Sequence, residues 1–274
     1  MRYLISFTLL IASSFLHAQE KEITITIDDL PFVASRMNTP ANVERTTERF
    51  NSIVDTLVKY QVPATGFVIA GAIGKDQWSF LEEFSKAGFV LGNHTYSHYN
   101  LDNVGSTKYI ADIAKADKIL NPIISQPKYF RYPYLAEGSS KSKQTVLNYL
   151  HSHDYTVAPV TIDSKDFYFN ETIYKVPYRN RASYIQKLKP KYLAYIWKQT
   201  LKAEKRSDLE DKQILLLHSN LLNSYLLGDI LEMYKENGYK FISLAEALQK
   251  PAPKLDVSST ISYTKFMLKE NAKP

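Results

Sequence analysis

The sequence contains no cysteine. This absence excludes a cysteine nucleophile, a disulfide bond and every metal site that has cysteine ligands. A metal ion would have to be bound by histidine, aspartate or glutamate side chains. A domain of up to 274 residues has a core large enough to fold without disulfide bonds, so the absence is compatible with export from the cell.

The sequence also lacks a concentrated block of charge, an internal repeat and a low-complexity linker. Its 34 Lys and Arg residues outnumber its 28 Asp and Glu residues, for a net charge of +6, but they are spread along the chain. Basic residues that form no stripe do not indicate a nucleic-acid partner, and we expect none. Because 45% of the residues are hydrophobic and no linker interrupts the chain, one folded domain is predicted for most of its length.

No apolar run is long enough to cross a bilayer comfortably, since a transmembrane helix needs about 20 apolar residues. The longest run, residues 3–16, follows Arg2 and precedes His17 and Ala18. A basic start, a short apolar segment and a small residue predict a signal peptide over residues 1–18, cleaved after Ala18. A membrane anchor or a buried first helix is the alternative. We therefore expect a protein exported to the periplasm or the extracellular space, without stable membrane insertion.

The sequence does contain a regular alternation of short β-branched or aromatic runs with amphipathic segments. The runs predict strands at residues 23–27, 65–70, 89–91, 129–132, 155–160, 214–217 and 239–242. Strands that alternate with helices predict an α/β fold with a parallel sheet, for which a closed barrel is the natural arrangement. The barrel is expected to span residues 19–250, with an insertion at about 170–212 and a C-terminal arm at 251–274.

Polar residues of a few chemical types follow the predicted strands. In barrels of this kind, the active site is built at the carboxyl ends of the strands. The residues found there are Asp28, Asp29, His94, His98, Arg131, Asp163, Asp166 and His218. Two histidines and one carboxylate suit a catalytic zinc-type site that leaves one position open for water. Such a metal lowers the pKa of its water to about 7 and polarises a carbonyl group, which are the two requirements of amide or ester hydrolysis.

The two adjacent aspartates are expected to have different roles. Neighbouring side chains on an extended strand point to opposite faces, so Asp28 and Asp29 are not expected to ligate one ion together. One of them can bind the metal while the other accepts a proton. His218 is then placed to protonate a leaving amine, and a nearby carboxylate would raise its pKa and fix its tautomer.

Five segments, in this order, resemble the motifs of the NodB-homology polysaccharide deacetylases, carbohydrate esterase family four. They are Thr26–Asp29, Asn93–His98, Phe130–Tyr134, Asp163–Phe167 and Leu216–His218. The resemblance extends over residues 23 to about 249. It implies a distorted seven-stranded (β/α) barrel that removes acetyl groups from N-acetylated sugars, or O-acetyl groups from some glycans. It also implies one divalent metal ion, usually zinc, and an acetylated glycan or oligosaccharide as the partner.

The resemblance further implies a role for each chemical group of the site. Asp28 would be the general base and His218 the general acid. The metal ligands would be Asp29, His94 and His98.

The remaining residues of the motifs would support these groups. Arg131 would hold Asp28 in place as a carboxylate. The backbone N–H of Tyr134 would stabilise the oxyanion, and Asp166 would orient His218. Contacts to the substrate are expected from Pro133, Phe167 and Leu216.

Two positions depart from the family pattern. Leu30 follows the second aspartate where the family usually has glycine, and Phe167 stands where it usually has tryptophan. Neither change removes a catalytic group. Two other functions stay open: a metal-dependent amidohydrolase that acts on a small non-sugar amide, and a catalytically silent glycan-binding protein. The complete set of catalytic residue types argues against the silent protein.

Two further groups of residues have a structural interpretation and a functional one. The insertion is rich in tyrosine, and we expect these rings to cover the barrel, with stacking on sugar rings as the alternative. His151 and His153 precede a predicted turn. Histidine is common at the end of a helix, so we expect them to end one and not to bind a metal.

Overall fold

The computed structural model describes residues 20–32, 39–74, 76–206 and 212–249. The predicted signal peptide and the predicted C-terminal arm lie outside these residues, so both stay predictions. In the described part of the chain, no helix combines the length and the apolar character that crossing a bilayer requires.

Within the described ranges, strands and helices alternate along most of the chain. The strands are β1 (Lys21–Leu30), β2 (Thr65–Val68), β3 (Val90–Asn93), β4 (Lys128–Phe130), β5 (Tyr155–Val157), β6 (Ile162–Asp163), β7 (Lys212–His218) and β8 (Tyr239–Phe241). The helices are α1 (Pro40–Lys59), α2 (Trp78–Lys86), α3 (Leu101–Leu120), α4 (Ser140–Ser152), α5 (Asp166–Tyr174), α6 (Arg181–Ala203), α7 (Leu221–Glu236) and α8 (Leu244–Ala247). This alternation confirms the α/β class.

The strands form one parallel sheet in the order β5-β4-β3-β2-β1-β7-β6, and β8 pairs with the start of β1. This seven-stranded curled path with helices against it confirms the distorted (β/α) barrel. The expected closed barrel is wrong in one respect, because no ladder among the described strands joins β5 to β6. Residues 158–161 connect these two edges instead. The N–H of Ala158 donates to the Phe130 carbonyl at 2.8 Å, and the N–H of Thr161 donates to the Ile214 carbonyl at 3.1 Å.

The seventh strand of the path also differs from the expected one. Ile162–Asp163 completes the path as β6, whereas the strand predicted at 239–242 lies off it as β8. A strand of two residues is too short to show the alternation of apolar and polar side chains that sequence reasoning uses. Asp163 therefore lies on a strand of its own and does not follow the fifth strand.

The core forms where the apolar faces of the helices pack against the sheet. Ile23, Ile25 and Ile27 of β1 are fully or almost fully buried, as are Phe50 and Leu57 of α1. Each apolar residue removed from water stabilises the fold by about 1.5–3 kcal/mol before the entropy of folding is subtracted. Burial therefore fixes the strands, and with them the positions of the side chains at their carboxyl ends.

The aromatic insertion covers the barrel, as expected. Tyr192 of α6 is fully buried, and Trp197 packs against the core. Tyr168 and Tyr178 are exposed. His151 and His153 also confirm the structural interpretation: the first lies in the last turn of α4 and the second is its C-terminal cap.

Candidate active site

A cavity of about 310 Å³ opens at the carboxyl ends of the strands. The lining residues that the sequence predicted as site residues are Asp28, Asp29, His94, His98, Tyr134, Phe167, Leu216 and His218. Asp163 also lines it, as do three residues that sequence reasoning had not assigned to the site, namely Tyr132, Leu135 and Lys165. Arg131, Asp166 and Pro133 are buried behind the lining side chains. The parallel strands that end at this cavity therefore bring together side chains that are up to 190 positions apart in the sequence, from Asp28 to His218.

Both aspartates at the end of β1 face this cavity, which corrects the expectation that they point to opposite sides. The register between β1 and β2 shifts between Ile27 and Leu30. Within that bulge, Asp29 has a φ of +61°. A left-handed residue does not continue the alternation of an extended strand, so the carboxylate of Asp29 turns toward the side of Asp28. Such a conformation costs about 1–3 kcal/mol, and residues that bear this cost cluster at functional sites.

Asp29, His94 and His98 present ligand atoms that lie within 4.8 Å of one another. The Asp29 Oδ1 atom is 3.5 Å from Nε2 of His94 and 3.3 Å from Nε2 of His98. Two ligands bound at about 2.0–2.1 Å in a tetrahedral site are about 3.3 Å apart. Among the described residues, this buried oxygen has no hydrogen-bond partner. A buried carboxylate oxygen left without a donor between two imidazole nitrogens fits a divalent metal ion of the zinc type.

The surroundings of His94 favour the form that ligates a metal. Its Nδ1 atom is 2.8 Å from the backbone carbonyl oxygen of Arg131. A carbonyl can only accept, so Nδ1 carries the proton and the lone pair of Nε2 is directed to Asp29. Burial lowers the pKa of His94 by more than the charges of Asp28 and Asp29 raise it. The neutral imidazole is therefore favoured.

The loop that carries His98 is held by two buried acceptors. Thr95 and His98 have positive φ angles of 67° and 54°. The Asn93 side chain accepts the backbone N–H of Thr95 at 2.7 Å, and the Asp112 carboxylate accepts the next two backbone N–H groups at 3.1 and 2.8 Å. These contacts fix the backbone in a conformation that isolated L-residues rarely adopt. Asn93 and Asp112 thus support the candidate metal ligands, and nothing in the sequence spacing predicted the contribution of Asp112.

Arg131 anchors Asp28 from below the cavity. Its guanidinium is fully buried and donates to Asp28 Oδ1 at 3.1 Å and to the hydroxyl of Thr26 at 2.8 Å. Its Nε donates to the Ala158 carbonyl at 3.1 Å, and the guanidinium lies 4.5 Å from the centre of the Phe67 ring. Burial lowers the pKa of Arg131, and the charge of Asp28 opposes that effect. The pair holds one carboxylate of the cavity in a fixed position.

His218 and Asp166 form a second pair on the other side of the cavity. The Nδ1 atom of His218 is 2.6 Å from Oδ1 of Asp166, which is fully buried, and the backbone N–H of His218 donates to Oδ2 at 2.7 Å. Burial alone would lower the pKa of His218, but the carboxylates of Asp166, Asp29 and Asp28 together outweigh burial, with Asp166 the largest of the three, and raise that pKa to about 10. A protonated imidazole that is held at Nδ1 and lines the cavity can donate the proton of its Nε2 atom.

Aromatic side chains flank the opening of the cavity. The ring of Tyr134 is 66% exposed and its centre is 4.6 Å from that of His98. Phe167 is 43% exposed and its ring centre lies 6.0 Å from that of His218. Lys165 and Asp163 form an ion pair of 2.6 Å at the same opening. The rim therefore combines apolar rings with a charged pair, a composition common in ligand sites.

Three known proteins show what the chain is similar to. A chitin deacetylase from Arthroderma benhamiae is 34% identical over 119 residues, which cover 42% of this chain and 31% of the relative. A solved peptidoglycan N-acetylglucosamine deacetylase superposes with a TM-score of 0.58 at 21% identity, over 85% of this chain and 90% of that one. A solved pseudoenzyme of carbohydrate esterase family four, from Bacillus anthracis, superposes with a TM-score of 0.58 at 19% identity, over 85% and 66%. At these identities, the two structures show the fold alone.

The alignments with curated relatives are partial. The chain spans less than half the length of the first two of them, 31% and 46%. A sequence profile described as polysaccharide deacetylase matches residues 16–158, slightly more than half of the chain. The matched range contains Asp28, Arg131 and the three candidate metal ligands, whereas Asp166 and His218 lie beyond it and are brought to the cavity by the fold. On this match and this fold, the chain belongs to the polysaccharide deacetylase family.

Proposed function

We propose that this protein is a metal-dependent hydrolase that removes acetyl groups from an N-acetylated or O-acetylated carbohydrate. The observation that carries the proposal is the convergence of three sets of side chains in one cavity. The sets are the ligand group Asp29–His94–His98, the anchored pair Asp28–Arg131 and the pair His218–Asp166. Each supplies one requirement of acyl transfer: a metal position, a base and an acid.

Asp29, His94 and His98 would hold one divalent metal ion, and we propose zinc. When bound, such an ion lowers the pKa of its water to about 7 and polarises a carbonyl oxygen. Two observations support this assignment. The buried Oδ1 atom of Asp29 has no hydrogen-bond partner among the described residues, and the Nδ1 atom of His94 donates to a backbone carbonyl, which leaves Nε2 to ligate a metal.

Asp28 is placed to act as the general base. Its Oδ2 atom lies 3.8 Å from Nε2 of His94, farther than the Oδ1 atom of Asp29 at 3.5 Å. The Asp28 carboxylate therefore lies beside the three proposed ligands and is not one of them. Arg131 occupies Oδ1, which leaves the other oxygen to accept a proton from the attacking water. The fixed position of the carboxylate avoids a reorganisation cost during the reaction.

His218 is placed to act as the general acid. With the Nδ1 proton held by Asp166, the proton on Nε2 faces the cavity and can be given to the leaving nitrogen or oxygen of the sugar. The raised pKa of His218, about 10, keeps this proton on the imidazole at neutral pH.

The acetyl group would be held between Leu216, which is 4% exposed in the cavity wall, and Phe167 at the rim. The backbone N–H of Tyr134 is proposed to stabilise the oxyanion, a contribution of about 2.7–4 kcal/mol per donor in other acyl-transfer enzymes. Pro133 is buried in the turn before Tyr134, so its proposed role is to shape this turn and not to contact the glycan directly.

The proposed substrate is an acetylated glycan, and the proposed location is the periplasm or the extracellular space. The chitin and peptidoglycan deacetylases among the similar proteins support a glycan over a small amide. The similarity to a pseudoenzyme makes a silent glycan-binding protein the second candidate. The complete set of acid, base and metal ligands in the cavity favours the enzyme.

The test is acetate release by the purified chain, stripped with a chelator, with and without added zinc. The substrates are N-acetylglucosamine oligomers and O-acetylated xylan. We expect zinc to restore release, and Asp28→Asn and His218→Ala to abolish it. Asp102→Asn and His151→Ala, which change the same residue types outside the cavity, should keep it. No release despite one tightly bound zinc would favour a small amide, and no bound metal would refute the enzyme.

A further inference from the structure

The carboxylate of Asp166 is the centre of a buried hydrogen-bond network that reaches beyond His218. Its Oδ2 atom accepts the backbone N–H of His218 at 2.7 Å, the side-chain amide of Asn220 at 3.0 Å and the side-chain amide of Asn223. Its Oδ1 atom accepts Nδ1 of His218. Asp166, Asn220 and Asn223 are each at most 2% exposed. An ionised carboxylate offers about four acceptor positions, so this one is fully satisfied.

The amide of Asn223 can take only one orientation in this network. Its Nδ2 atom faces two groups that only accept, the Asp166 carboxylate and the His218 backbone carbonyl, the latter at 2.9 Å. Its Oδ1 atom must therefore face a donor. That donor is the hydroxyl of Tyr192, at 3.0 Å. Because Tyr192 is fully buried, removing its hydroxyl would leave Oδ1 without a partner in a site closed to water.

Tyr192 comes from α6, within the insertion whose role the motifs leave unexplained. The chain of contacts runs from Tyr192 on α6 through Asn223 on α7 to Asp166 at the start of α5 and on to His218 at the end of β7. Each link joins a different element of the fold. The helix that covers the barrel thus contacts the proposed acid through two buried side chains.

We propose that Tyr192 and Asn223 are positioning residues for the proposed acid, so that the insertion helix α6 sets the geometry of His218. The inference rests on the proposed function, since it takes His218 as the group that protonates the leaving atom. Tyr192 fixes the amide of Asn223, and that amide fixes the Asp166 carboxylate. The carboxylate in turn fixes the plane of the imidazole and accepts the proton on its Nδ1 atom. Networks of this kind hold a catalytic group within the narrow range of geometry that proton transfer requires.

The test separates proton donation from general stability. Tyr192→Phe removes only the hydroxyl, and Asn223→Ala removes all three contacts of the amide, to Asp166, His218 and Tyr192. The matched control is Tyr234→Phe, because Tyr234 is also fully buried and also packs between α6 and α7, but its hydroxyl bonds to Thr200 at 2.7 Å. Each variant is assayed on an N-acetylglucosamine oligomer, whose amine leaves only when protonated, and on nitrophenyl acetate, whose phenolate leaves without a proton.

We expect Tyr192→Phe to lower kcat on the N-acetyl substrate about fivefold or more, with KM unchanged and the rate on nitrophenyl acetate within about twofold. Asn223→Ala should show the same selectivity with a larger loss, and Tyr234→Phe should leave the ratio of the two rates unchanged. Equal losses on both substrates, or the same ratio for Tyr192→Phe and Tyr234→Phe, would overturn the inference.

A second measurement does not depend on deacetylase activity. In proton NMR of the histidine-labelled full chain, the hydrogen-bonded Nδ1–H of His218 should give a downfield resonance. It should move or broaden in Tyr192→Phe and stay in place in Tyr234→Phe. If the wild-type chain releases no acetate, the proposed function fails while this resonance still decides the inference. A resonance that is unchanged in Tyr192→Phe would refute the positioning role.

Discussion

Replacing Asp166 with asparagine would test the proposed acid most sharply, because asparagine keeps the shape of the side chain and removes its charge. In the wild-type protein, burial lowers the pKa of His218, but the carboxylates of Asp166, Asp29 and Asp28 together outweigh burial and raise that pKa to about 10, with Asp166 contributing most. Without the Asp166 carboxylate, burial is opposed only by the charges of Asp29 and Asp28, and we expect the pKa of His218 to fall to the ordinary value of about 6.5 or below. At pH 8, the protonated fraction of His218 would fall from about 99% to about 3% or less, a loss of about 30-fold.

The assay is kcat for acetate release from an N-acetylglucosamine oligomer, followed from about pH 5 to pH 10. For Asp166→Asn we expect the basic limb of the profile to move to lower pH and kcat at pH 8 to fall at least about 30-fold. Asp229→Asn is the matched control, since Asp229 pairs with Lys189 at 3.0 Å and lies outside the cavity lining. A variant that keeps the wild-type basic limb, with kcat at pH 8 within about threefold, would refute the role assigned to the Asp166–His218 pair.

Three other outcomes are expected. Arg131→Met leaves the Asp28 carboxylate, which is 2% exposed, as an unpaired buried charge, and urea unfolding should show a loss of about 3–5 kcal/mol. Zinc at about 100 times its Kd should stabilise the chelator-stripped chain by about 2.7 kcal/mol, a rise in Tm of about 5–10 °C in calorimetry, and His98→Ala should abolish that rise. Because the pKa of His218 is raised on folding, its protonation stabilises the metal-free fold fully below about pH 6.5 and progressively less up to about pH 10. The difference in urea midpoint between wild type and His218→Gln should therefore shrink from about pH 6.5 to about pH 10. A difference that stays constant over this range would contradict the raised pKa.

The strand-end residues could be predicted from the sequence because burial and chain direction dictate where they lie. Ile23, Ile25 and Ile27 are buried on one face of β1 and Thr24 and Thr26 on the other. A strand that is buried on both faces must deliver the residues at its carboxyl end to the edge of the sheet. The same reasoning holds for His94, which directly follows β3, a strand paired with β2, and for His218 at the end of β7. Strand direction thus converts separation in sequence into proximity in space.

The bulge at Asp29 and the two-residue strand β6 could not be predicted in this way. Side-chain alternation assumes an extended backbone, and Asp29 has a positive φ within a register shift between β1 and β2, which strand pairing reveals and side-chain alternation does not. The strand Ile162–Asp163 is defined by its pairing with β7, a partner about 50 residues away. Asn223 and Tyr192 were missed for a related reason, because asparagine and tyrosine carry no distinctive spacing that would mark a buried hydrogen-bond network.

The most direct test of the proposed function is the release of acetate, with one new free amine for each acetate, from N-acetylglucosamine oligomers by the zinc-loaded chain. We predict that the wild-type chain releases acetate, that a chelator stops this release and that added zinc restores it. The Asp28→Asn variant should still bind zinc but release no acetate. Release that persists in Asp28→Asn would contradict the role of Asp28 as base. A zinc-loaded wild-type chain that releases no acetate from either N-acetylated or O-acetylated glycans would contradict the deacetylase itself.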